Sequence, residues 1–258
     1  MLWPSRLAAW SSGRHIRAKE VLKKRRNLIL LANREHHGTA LSPTDQTRLA
    51  SLRSDPQIRR RRADDERRNM VRRALLGERL RRYPVDDEQV APTLLGNAIR
   101  RFEEYGYNRF GLDSQVLWDE LIGDVPDAVR RQTETARTSV DFFVALLYGH
   151  LLVAAAAFGT LFAASGETAL LLVTGLGLAV LAPVWYRCAI AATDDWAAAV
   201  RALVNLGRKP LAESLGLVLP EKLADEREMW TKVTRFALRP YGVDSDGLDA
   251  YRAKPPGA

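Results

Sequence analysis

Three groups of residues in this chain could do chemistry by their type and spacing. The first is His150, which, Tyr148 and Tyr186 aside, is the single ionisable side chain inside two uncharged apolar runs, Phe142–Ala164 and Thr168–Tyr186. An imidazole in such surroundings could carry a proton or hold a ligand. Pairing is the plainer use. Reflecting the two runs about Gly166 sets His150 beside Pro183, whose missing N–H frees the carbonyl of Ala179 one turn earlier, where a ring N–H could meet it.

The second group is the arginine series Arg59, Arg60, Arg61, Arg62, Arg67, Arg68, Arg72 and Arg73. Guanidinium groups at this density suit phosphate, either in an anionic lipid headgroup, at ~1 kcal/mol per residue near the surface, or in a nucleic acid. Nucleic acid ranks well behind, because aromatic residues for base stacking are missing until Tyr83. A solvated helix neutralised by Asp64, Asp65, Glu66 and Glu78 ranks level with a lipid surface.

The third group is the adjacent carboxylates Glu103-Glu104, Asp119-Glu120 and Asp194-Asp195. General acid or base work needs a facing partner, and no Ser, His and Asp arrangement is legible in these spacings. They read as solvated faces, and nothing argues for an enzyme. His15, His36 and His37 lack a zinc spacing and the chain has one cysteine, Cys188, so no metal and no cofactor are expected. A lone cysteine also excludes an intramolecular disulfide framework.

The elements that would position these residues are helical. At ~1.5 Å per residue each apolar run can cross a hydrocarbon core of ~30 Å, and Ser165-Gly166-Glu167 between them allows only a tight reversal. A two-span transmembrane hairpin follows, with the lipid bilayer as its partner. Arg130, Arg131, Arg137, Arg187 and Arg201 flank the runs on one side while the tip offers only Glu167, which predicts that both termini are cytoplasmic. Met1–Gly13 holds no continuous apolar stretch, so the internal spans are expected to direct insertion.

Outside the spans, charge divides the chain. Residues 14–82 carry 21 Lys/Arg against eight Asp/Glu, and residues 83–140 carry six against 11. The expected layout is a basic helical region over 1–83, cytosolic helices over 84–125, and a long hairpin over 126–206 with spans 142–164 and 168–186. Cytosolic helices over 207–239 and a disordered tail over 240–258 complete it. Ser42-Pro43-Thr44-Asp45 reads as a helix start and Asp55-Pro56 as its stop, with a basic helix from Pro56 to about Arg82. Gly207 and Lys209-Pro210 read as the end of the return helix. The reflection also faces Arg137 with Asp194 or Asp195, and brings Asp141 near Arg187.

Residues 92–109 (PTLLGNAIRRFEEYGYNR), then Phe110-Gly111-Leu112-Asp113, Trp118, the hairpin and Tyr186-Arg187, resemble a family of bacterial, largely actinobacterial, membrane proteins. The pattern is PT-LGN-LR followed by RYGLD, over roughly residues 84–238. The resemblance implies an all-α, membrane-anchored hairpin extended into a cytosolic helical bundle, and no assigned activity. The function expected is a non-enzymatic scaffold or regulatory component of the bacterial cytoplasmic membrane. The rivals are an oligomeric effector or pore-like assembly, using small residues such as Gly159/Ala163 or Gly175/Ala179 to form a homo-oligomer, and a membrane-tethered nucleic-acid binder.

Overall fold

The computed structural model describes residues 5–61, 65, 69–161, 168–239 and 247–253. Among these the chain is helical, with no strand and one isolated bridge between Leu217 and Arg252. It forms two compact units, Met1–Arg101 and Phe102–Ala258.

The first unit begins with α1 (Ser5–His36), 32 residues without an internal proline. It ends in a Schellman arrangement: Thr39 N–H reaches Arg34 O (3.1 Å), Gly38 N–H reaches Glu35 O (3.2 Å), and Gly38 takes φ 69°. Helix α2 (Pro43–Ser54) starts as the sequence predicts, the Ser42 hydroxyl accepting from Asp45 N–H at 3.1 Å. It stops where Asp55 turns the chain, its carboxylate accepting Gln57 N–H at 2.7 Å. Leu28, Leu31 and Ala32 of α1 pack with Leu49 and Leu52 of α2 and with Ile58. Each large side chain in that cluster contributes ~1.5–3 kcal/mol by leaving water.

The basic helix expected from Pro56 to Arg82 is shorter than its sequence suggested. Arg59–Arg61 form a single 3-10 turn and α3 covers Asn69–Leu80. Residues 81–93 then return as a loop to α4 (Leu94–Glu103). The boundary between units falls in α4 and not at the charge break near Tyr83, because Lys19 and Ser11 of α1 hold this loop. Lys19 Nζ donates to Val85 O at 2.9 Å and the Ser11 hydroxyl to Pro92 O at 2.6 Å.

The second unit contains the short helices α5 (Tyr105–Phe110) and α6 (Trp118–Asp124), the long pair α7 (Asp127–Thr160) and α8 (Thr168–Ser214), and α9 (Leu223–Leu238). With 34 and 47 residues, the long helices run ~51 and ~70 Å at 1.5 Å per residue. They pack along each other as an antiparallel hairpin, and the register follows the reflection about Gly166. A Cβ on Gly175 would meet the Phe158 ring at 3.0 Å, and Trp185 stacks on Phe143 at 6.2 Å between centroids. In the polar half, Thr133, Ala136 and Val140 are buried on α7, and Ala199, Val200 and Leu203 on α8.

The return helix does not end at Gly207. It runs through Pro210 to Ser214 and stops at Gly216 (φ 71°), where Leu217 N–H bonds Ala212 O at 2.8 Å. Gly207 answers a packing demand instead: a Cβ there would lie 2.8 Å from Val125 Cγ1 and 3.0 Å from Leu121 Cδ2. Part of the tail expected to be disordered is also placed. Residues 247–253 hold a 3-10 turn (Asp249–Tyr251), and Val218 N–H bonds Tyr251 O at 2.7 Å. Residues 240–246 and 254–258 lie outside the described residues.

Candidate functional site

The arginine series separates into members with different duties. Asp65 is wholly buried and receives two bonds from Arg25, Nε to Oδ2 and Nη2 to Oδ1, each 2.7 Å. Arg72 Nε approaches the same carboxylate at 2.9 Å. Arg72 is therefore a structural residue and not one held out for a headgroup. Arg59 and Arg60 are exposed on their turn and Arg73 is half-buried. The positions of Arg62, Arg67 and Arg68, and of the Arg61 side chain, lie outside the described residues.

Sequence reading missed the partners of this region, because they lie on α1. Lys19, 3% exposed, pairs with Asp87, and that bond holds the Asp87 carboxyl below its ordinary value, with the charges of Lys19 and Lys23 adding to it against partial burial. Lys24 donates to Asp55 Oδ2 at 2.8 Å, which lowers Asp55 likewise, helped by the Gln57 N–H. His15 lies 3.4 Å from the Tyr83 hydroxyl; burial, reinforced by the charge of Arg14, lowers its pKa against the pull of the Pro92 carbonyl.

Beside Arg25 a cleft of about 470 Å³ opens between α1, α3 and the 81–94 segment. Val21, Leu22, Leu94 and the Tyr83 ring form its apolar wall, and Arg17, Arg79 and Arg82 stand around it. No signal in the sequence marks this cleft, since its walls come from three separated segments.

The residues that carry the family-like pattern build joints. Thr93 caps α4 by accepting Gly96 N–H at 3.0 Å, and buried Asn97 clamps Ala91 from both sides, accepting its N–H (2.6 Å) and donating to its C=O (3.0 Å). In the second motif Gly111 takes φ 75°, where a Cβ would collide with the Arg227 carbonyl oxygen of α9. Arg208 lies over the Phe110 ring at 4.3 Å and grips Glu226 at 2.5 and 2.6 Å, while Trp230 Nε1 donates to the same carboxylate at 3.3 Å. Asp113 turns the chain toward α6 by accepting Gln115 N–H at 2.9 Å.

Within the apolar half of the hairpin, His150 bonds its own helix. Its Nδ1 lies 2.7 Å from Leu146 O, and its ring rests against Trp185 at 5.7 Å between centroids. The Ala179 carbonyl is not the partner, because the carbonyl four residues earlier on α7 is already in reach. Trp185 Nε1 is buried without a hydrogen-bond partner among the described residues. At the start of the spans Arg137 pairs along α7, its Nε 3.8 Å from Asp141 Oδ2. Side chains four apart on one helix meet more readily than those on two separate helices. Arg187, Asp194 and Asp195 are exposed on α8.

Among the described residues no group of three or more His, Cys, Asp or Glu is arranged to hold a metal ion, and Cys188 is a free thiol. No family model matches this chain, and neither a curated protein nor a solved structure matches it. Two of its helices, α7 and α8, are long and apolar enough to cross a membrane.

Proposed function

We propose that this chain is an integral protein of the cytoplasmic membrane, crossing it as the α7–α8 hairpin with both termini on the cytosolic side, and serving as a non-enzymatic scaffold or regulatory component. The observation that carries this reading is the exposure of the apolar halves of both helices. Only 11% of the apolar window of either helix is buried, and Leu152, Val173 and Val180 are each about 70% exposed. A core helix of a water-soluble protein passes the same length and hydropathy test but is covered by its neighbours. Leaving a side chain of this size in water forgoes ~1.5–3 kcal/mol, which hydrocarbon restores.

Two further features support the membrane placement and the orientation. Phe142, Phe143, Trp185 and Tyr186 gather where the apolar halves meet the charged ones, the level at which aromatic rings favour a membrane interface. The flanking Arg130, Arg131, Arg137, Arg187 and Arg201 lie on the same side of that level. The scaffold role rests on the use of buried polar groups: Asp65, Asn97 and Glu226 each join segments distant in sequence or lock a turn. In a Cys188→Ala background, Ser165→Cys should react with a membrane-impermeant maleimide on intact cells and Ser245→Cys only after permeabilisation. The reverse pattern overturns the orientation, and release of the protein by alkaline carbonate overturns the anchoring.

A further inference from the structure

The cleft of the first unit combines two surfaces that no single simple occupant satisfies. Its wall of Ala18, Val21, Leu22, Leu94 and the Tyr83 ring is apolar, whereas the other described side chains around it are the guanidinium groups of Arg17, Arg25, Arg79 and Arg82. Arg25 is neutralised by Asp65. Among the described residues, Arg17 and Arg79 are exposed and face no carboxylate within ion-pair distance, and no Asp or Glu lines the cleft. The volume, about 470 Å³, lies in the range of small-molecule sites.

We propose that this cleft binds an amphipathic organic anion, a phosphate or carboxylate group carrying an apolar chain or ring. The charged group meets the guanidiniums of Arg17 and Arg79, and the apolar part covers the aliphatic wall. An uncharged apolar molecule would desolvate those guanidiniums without compensation, and a free inorganic anion would leave the wall wet. A nucleic acid fits less well, because among the described residues Tyr83 is the single aromatic residue lining the cleft, whereas successive bases need several stacking platforms. Arginine suits the anionic end, since its planar fork pairs two donors with two oxygens of phosphate or carboxylate. The site stands on the first unit alone and does not depend on the membrane reading.

The test is calorimetric titration of the full-length protein, held in nanodiscs of phosphatidylcholine, with hexyl phosphate, inorganic phosphate and hexanol, against empty nanodiscs. Saturable binding of hexyl phosphate, with both other probes at least about tenfold weaker, is the expected result. Arg17→Ala/Arg79→Ala should weaken hexyl phosphate about tenfold or more while far-UV circular dichroism stays unchanged, because both side chains are exposed. Ala18→Trp, at an exposed position that also lines the cleft, should block it with all four arginines retained. Adding phosphatidic acid to the nanodiscs distinguishes the source: competition with hexyl phosphate identifies a lipid headgroup, and its absence a soluble anion. Equal binding of all three probes, no saturable binding, or an affinity unchanged in both variants overturns the proposal.

Discussion

Asp65 has a larger part in the first unit than its place in an arginine run suggests. Its buried carboxylate is the common acceptor for Arg25, 4% exposed, and Arg72. Removing one partner of a buried ion pair leaves the other charge without compensation, at a cost of ~3–5 kcal/mol. Asp65→Asn, close in shape, should therefore destabilise the unit by about 3 kcal/mol, read from chemical denaturation. The triple change Asp65→Leu/Arg25→Met/Arg72→Met should recover much of that loss, since apolar groups of similar volume replace a buried ionic cluster at little or no cost. The sequence shows Asp65 as one counter-charge among several. Its partner is 40 residues away on another helix, and side-chain pattern carries no record of such a pairing. His150 shows the complementary case: its polarity in an apolar run was legible, but its partner was set by the nearest carbonyl of its own helix.

At the level of elements, what was legible is what is local. The two long apolar runs, the capping box-like start at Ser42 and the stop at Asp55-Pro56 depend on neighbouring residues, and the helices follow them. The helix end expected at Gly207 depended on the same kind of signal and failed, because packing against Leu121 and Val125 decides what that glycine does. Three glycine-to-alanine changes separate these effects. At Gly111 a side chain meets both a left-handed backbone, φ 75°, and the Arg227 carbonyl, which cannot move without shifting α9. At Gly207 it meets side-chain atoms at 2.8 and 3.0 Å, an overpacking that costs ~1–3 kcal/mol. At Gly177, in the apolar half of α8, it meets nothing within 4 Å, and alanine gains up to ~1 kcal/mol of helix propensity. Melting temperatures in one detergent should fall in the order Gly177→Ala, wild type, Gly207→Ala, Gly111→Ala, from highest to lowest. A Gly207→Ala protein as stable as wild type would show that Val125 yields freely.

Across the whole molecule, pH acts on contacts of both units, and three that acid weakens lie in the first. His15 is held below its ordinary 6.5 by burial and then by Arg14, so its neutral form is favoured in the folded chain. Asp87 and Asp55 are held below 3.8, first by their bonds to Lys19 and Lys24. In all three cases the unfolded chain binds more protons than the folded one, so stability rises with pH. The His15 contribution is present in full above 6.5 and is lost as pH falls from there toward its lowered value. The aspartate contributions are full above 3.8 and are lost as pH falls through their lowered values. Among the described residues of the second unit Lys232 is raised, first by its bond to Glu228, and its contribution is present below 10.5 and lost as pH rises through its raised value. Asp87 is 44% exposed, so solvent screens its share and the steps are modest. Hydrogen exchange, corrected for its intrinsic pH dependence, should show protection in α1, α2 and residues 81–93 falling in two steps, one below pH 6.5 and one below 3.8. His15→Gln should remove the upper step and Asp87→Asn should reduce the lower one. Steps left unchanged in both variants would mean that these contacts do not govern how the first unit opens.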